Sequence, residues 1–291
     1  MHLVRGALIT VADLDRAVAR YGEWLDYELV ERDSVTAELA ALWDAPKCEG
    51  AAMAVMRPAS GAECFLRFVE QPPHPDYAPL RSFGWAAVEL TVQDTDAVHA
   101  RLQGSPFEII GPPKELDGMS NIYPMQVRGP DGEIVYLTQI REQPEDYRLV
   151  QAKSLVDQIF ILVLACRDLE ATGAWMEAAL GLSKGKTMEI VYSMINTSFD
   201  LDADTRHPLA TLKHGDDVFL EIDTYPDGAT ARTAHRGWLP PGVAMASFAH
   251  PGYASLVGDT GIRPDGPVYA GGRATLLRGP DGARFELIEI P

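Results

Sequence analysis

A five-residue segment, Arg128-Gly129-Pro130-Asp131-Gly132, recurs 150 residues later as Arg278-Gly279-Pro280-Asp281-Gly282. Self-similarity at so long a period confines a chain to architectures assembled from repeated supersecondary units. Each copy precedes a strand-like run that ends its half of the sequence, Glu133 to Ile140 and Ala283 to Ile290. Near the start of each half an apolar run meets an Asp-Leu pair, at Asp13-Leu14 and at Asp168-Leu169. Both aspartates suit helix N-caps, because a carboxylate there accepts from free backbone N–H groups. In the Pro-Asp-Gly turns, proline presets φ and glycine supplies the positive φ that closes a hairpin. The repeats predict two domains, residues 1–145 and 150–291, with a charged linker around 142–153 that contains Pro144.

Each half divides again. Val88-Glu89-Leu90-Thr91-Val92-Gln93-Asp94 echoes the opening strand with its aspartate, and Val243 to Ala249 gives a weaker echo before His250-Pro251-Gly252. The quarter units read as strand, helix, then further strands. This pattern, with Tyr21 and Trp175 late in the helices and Gly-Pro-Asp-Gly before a terminal strand, resembles the vicinal oxygen chelate superfamily. That superfamily includes glyoxalases, extradiol dioxygenases, fosfomycin-resistance enzymes and bleomycin-binding proteins. The resemblance covers nearly the whole chain. It implies an α+β fold of four βαβββ modules, paired within each half-chain into a curved mixed sheet around a cavity, with helices outside. A fold of this kind does not fix a reaction.

Metal-using members place a His or Gln on a module's first strand and a Glu on its fourth. Carried over, the first-strand positions fall on Gly6, Ala87, Ile161 and Met245, none of them a usual ligand for a hard or borderline divalent ion. The fourth-strand positions fall on Arg67, Tyr136, Glu221 and Glu286. The seven histidines form no ligand-type cluster. The expectation is no resident cofactor, with a weak divalent site at Glu221 and Glu286 as the alternative. Such a site falls short of the three protein ligands usual in mononuclear catalytic centres.

Strand alternation assigns the faces. Ala87, Glu89 and Thr91 share one face of their strand, as do Phe65, Arg67 and Val69, and Ile134, Tyr136 and Thr138. The first half is therefore expected to gather Arg67, Glu89 and Tyr136 in one cavity, with Arg67 gripping a substrate carboxylate or enolate while Tyr136 or Glu89 moves a proton. An internal Arg–Glu pair kept for packing accounts for the same residues. The second half is expected to gather Met245, Glu221, Glu286 and Arg284, with Arg284 neutralising the carboxylates. Trp85, Tyr123, Tyr192, Trp238 and Tyr269 are placed where they could wall an organic ligand.

Charge and composition bound the partners. The chain has 291 residues, with 25 Lys and Arg against 42 Asp and Glu and a net charge of −17. That balance disfavours nucleic acid and anionic lipid surfaces. The longest apolar run, Ile159 to Cys166, is too short to span a bilayer. Three cysteines without C-x-x-C spacing support neither a disulfide framework nor a zinc knuckle, and the chain reads as cytoplasmic. The leading reading is a metal-independent lyase or isomerase for a small aromatic or carboxylated metabolite, with a homodimer compatible. The alternatives are a sequestration protein like the bleomycin-resistance members and a divalent-metal lyase or dioxygenase using Glu221 and Glu286.

Overall fold

The computed structural model describes residues 2–116 and 119–290. The first module runs β1 (Val4–Val11), α1 (Leu14–Leu25), β2 (Tyr27–Ser34), α2 (Ala37–Leu42), β3 (Ala52–Pro58) and β4 (Phe65–Glu70). The second runs β5 (Gly84–Val92), α3 (Thr95–Leu102), β6 (Glu108–Gly111), β7 (Ile122–Arg128) and β8 (Ile134–Ile140). The third comprises β9 (Val156–Cys166), α4 (Leu169–Leu180), β10 (Ser183–Lys184), β11 (Met188–Val191), α5 (Ser193–Phe199), β12 (Arg206–His214) and β13 (Asp217–Thr224). The fourth is shorter, with β14 (Gly242–His250), α6 (Tyr253–Val257), β15 (Ala274–Arg278) and β16 (Arg284–Glu289).

The local signals act as the sequence implies. Asp13, Asp94 and Asp168 each cap the helix that follows, accepting from the backbone N–H three residues on. Each such cap contributes about 1 kcal/mol. In the first Pro-Asp-Gly turn Gly132 adopts φ +83°, and β7 and β8 pair antiparallel across it. Gly6 answers a different need: a Cβ there would stand 2.2 Å from the carbonyl oxygen of Phe65, so only glycine lets β1 and β4 pair this closely.

The α+β class and the four modules stand, and the modules build two sheets. Their partners differ from the expected ones. One sheet has the order β15-β16-β14-β1-β4-β3-β2, joining the first module to the fourth. The other has the order β10-β12-β13-β9-β5-β8-β7-β6, with β11 pairing to β12, and joins the second module to the third. The seams are antiparallel pairs of first strands, β1 with β14 and β5 with β9. Alternation could not choose between these pairings, because every first strand presents the same in-and-out pattern whichever neighbour it takes. Modules adjacent across the 141–155 connection form the inner cup, and those at the chain's two ends form the outer cup.

The helix-facing sides of both sheets contribute to one core, including Ala7, Ile9, Val88, Leu90, Val135, Leu137, Phe285 and Leu287. The concave sides form two separate clusters. Leu8, Phe65, Val69 and Met245 line the outer cup, and Ala87, Tyr136, Ile161 and Val163 line the inner one. Among the described residues, no helix is long and apolar enough to cross a membrane.

Candidate active site

The outer cup is closed by its own side chains. Arg67 on β4 donates from Nη2 to Glu286 Oε2 on β16 at 2.5 Å and to Ser247 Oγ at 2.6 Å. Its Nη1 donates to the Tyr269 hydroxyl at 2.7 Å. Ser247 and Tyr269 pass the contact on, donating to the two oxygens of Glu286 at 2.7 and 2.9 Å. Trp43, at the end of α2, donates its indole N–H to Glu286 Oε1 at 2.9 Å and stacks beneath the guanidinium. Burial alone would raise the Glu286 carboxyl, but Arg67 and the Ser247 and Trp43 donors hold it below the ordinary carboxylate range. The crevice left above Arg67 is only about 80 Å³.

The inner cup is open, with a cavity of about 910 Å³. Its floor carries Glu89 from β5, Tyr136 from β8 and Glu221 from β13, walled by Phe160, Ile161, Tyr192 and Ile190. Glu89 and Tyr136 are register partners on adjacent parallel strands, which places both on the concave face about 4.8 Å apart at the backbone. Thr138 Oγ1 donates to Glu89 Oε1 at 2.5 Å, and the Tyr192 hydroxyl donates to Glu221 Oε1 at 2.6 Å. The Tyr136 hydroxyl is buried without a hydrogen-bond partner.

Titration follows from this setting. Burial, reinforced by the Glu221 carboxylate and opposed by the Thr138 bond, pushes Glu89 up to about 8. Burial also raises Glu221, against the hydrogen bond from Tyr192. Asp223, two residues on along the same face, is driven well above the usual range by burial and then by Glu221. Both Asp223 oxygens are buried without a hydrogen-bond partner. Tyr136 is likewise held well above an ordinary phenol, by burial and then by Tyr225 and the nearby acids.

No protein-family model matches the sequence, and no curated protein matches it. Solved structures do match. Glyoxalase I from Zea mays superposes with a TM-score of 0.62 at 18% identity, covering 99% of this chain and 92% of its own. A protein of Bacillus subtilis assigned as a dioxygenase superposes with a TM-score of 0.64 at 12% identity, covering 100% of this chain and 86% of its own. The chain has the vicinal oxygen chelate fold. At such identities the likeness fixes architecture and leaves the chemistry to the residues.

Those residues do not suit the divalent metal used by many proteins of this fold. In the inner cup, the positions expected to carry ligands hold Ala87, Tyr136 and Ile161 beside Glu221. In the outer cup they hold Gly6, Met245 and Arg67 beside Glu286, and the Arg67 guanidinium already supplies the positive charge that Glu286 faces. Among the described residues, no three His, Cys, Asp or Glu side chains converge closely enough to hold an ion.

The sheet order also corrects the expected side-chain groupings. Glu89 and Tyr136 come together, but Arg67 stands in the other cup and cannot serve them. Glu221 and Glu286 are likewise in different sheets, so the expected carboxylate pair does not form. Arg284 neutralises neither: it lies near Asp44 and Cys48, its guanidinium lowered to about 10 chiefly by burial, while its carbonyl accepts from Trp85. Met245 is fully buried in the outer cup. Of the expected wall aromatics, Tyr192 lines the inner cavity, Tyr269 closes the outer cup and Trp85 belongs to the core.

Alternation missed one group. Phe160 reaches the inner cavity beside Ile161 because the β5–β9 register slips between Glu89 and Leu90, and a bulge breaks strict parity.

Proposed function

We propose that the inner cup is the active site of an acid–base enzyme, a metal-independent lyase or isomerase for a small, largely apolar carbonyl compound. The observation that carries this reading is the buried, unpartnered Tyr136 hydroxyl facing the same cavity as Glu89. A substrate carbonyl oxygen accepts from Tyr136, and the C–H beside that carbonyl lies toward Glu89. Glu89, in its ionised form, takes the proton, and the C–H electron pair moves onto the carbonyl oxygen as an enolate that Tyr136 stabilises. Return of the proton to a different carbon gives isomerisation. Expulsion of a group from the next carbon gives elimination.

Because Glu89 titrates at about 8, kcat/KM should rise with pH through that value. The test is the pH profile of Glu89→Gln against the wild type, using a substrate found by ligand screening and product analysis. Loss of the rising limb together with a fall of about 10²- to 10⁴-fold supports the reading. A limb that persists in the variant overturns it. Binding without turnover is the second reading, favoured by the aromatic and methionine lining of Phe160, Tyr192, Met119 and Met194. It is distinguished by tight ligand binding with no product.

A further inference from the structure

The inner cup holds acid without counter-charge. Glu89 is 7%, Glu221 9% and Asp223 1% exposed, yet none has an ion-pair partner among the described residues, and no arginine or lysine contributes to their titration. Four basic side chains also line the cavity: Lys114, Lys186 and Arg206 are exposed at its rim, and Lys213 is half-buried on β12 without an ion pair to any of the three acids. Buried charges are ordinarily paired, so a carboxylate kept in such a place without a cation calls for one from outside. Glu221 is the group placed to hold that charge, since the Tyr192 hydroxyl donates to its Oε1 at 2.6 Å. A second observation points the same way: the unpartnered Tyr136 hydroxyl lies within electrostatic reach of all three acids. The acids are too dispersed to cage a metal ion, whereas an organic cation with an apolar body could span them.

We infer that the inner cup takes a ligand bearing a protonated amine, with the ammonium group on Glu221 and the apolar part against Phe160 and Ile161. This rests on the inner cup being the working site and adds the class of molecule it receives. Sheet order divides the tasks. Glu221 on β13 is separated from Glu89 on β5 by the intervening β9, which presents the apolar Ile161 and Val163. The amine anchors on one side while Glu89 and Tyr136 remain free for the reacting carbonyl on the other.

Calorimetric titration of the full chain with phenethylamine, 2-phenylethanol and phenylacetate, near-isosteric probes of different charge, tests the inference. The amine should bind about tenfold or more tightly than the alcohol, and the acid most weakly. Glu221→Gln should erase the preference for the amine while leaving the alcohol's affinity nearly unchanged. Tyr192→Phe, a gentler change, should reduce it by several-fold, which guards against misfolding of the first variant. Equal or tighter binding of the alcohol or the acid overturns the inference, as does an amine preference that survives Glu221→Gln, or no binding of any probe at millimolar concentration. An unchanged pH limb in Glu89→Gln would instead strike at the acid–base reading and leave the charge preference standing.

Discussion

Arg67 Nη2 donates to Glu286 Oε2 across 2.5 Å, so the first module and the fourth close the outer cup between them. Both side chains are essentially inaccessible to water, and every oxygen of Glu286 has a donor. Removing one member leaves the other charged and buried. Glu286→Gln should therefore destabilise the fold by about 3–5 kcal/mol in urea unfolding, whereas adding Arg67→Met should recover part of that loss. The folded Glu286 carboxyl titrates below its ordinary value, so its contribution is present at neutral pH and is lost as pH falls through the folded value. A single variant as stable as the wild type would show that the network is dispensable.

The inner cup has the opposite pH signature. Glu89 rises from 4.5 to about 8 on folding, so between those values the folded chain keeps a proton that the unfolded chain has released. Raising pH through that window favours unfolding. Glu89→Gln should thus gain stability over the wild type as pH climbs from about 5 to about 8, on the order of a few kcal/mol at the upper end. Thermal unfolding at the two pH values checks this. A difference independent of pH would mean that Glu89 is not held protonated.

The donor set makes a third expectation. With Ala87, Ile161 and Tyr136 beside Glu221, dialysis against a chelator should leave turnover unchanged. Activity lost on chelation and restored by manganese, nickel, iron or zinc would contradict it.

Strand faces were legible in the sequence, and strand partners were not. Arg67, Glu89, Tyr136, Glu221 and Glu286 all project to concave sides, as alternation places them, because a pleated strand with one face on a helix has no other choice. Which concave side they share depends on whether β1 pairs with β5 or with β14. The repeats are silent there, since they make every first strand look equivalent. Hence alternation correctly unites Glu89 and Tyr136, on neighbouring strands of one module, but puts Arg67 in the wrong cup. It joins Glu221 to Glu286 for the same reason, although the two stand in different sheets. The upward shift of Asp223 is not legible in the sequence, because it arises from burial and from Glu221, not from residue type.

The most direct test of the central claim, that the inner cup works and the outer cup is closed, compares two tyrosines. Tyr136→Phe and Tyr269→Phe each remove one buried hydroxyl, from the inner and the outer cup respectively. With a substrate identified by product analysis, Tyr136→Phe should lower turnover by about 10²- to 10⁴-fold with little loss of binding. Tyr269→Phe should leave turnover intact and cost only stability, about 1–3 kcal/mol for unpaired partners of its hydroxyl. Full turnover in Tyr136→Phe, or a comparable loss in Tyr269→Phe at equal folded fraction, would contradict the account.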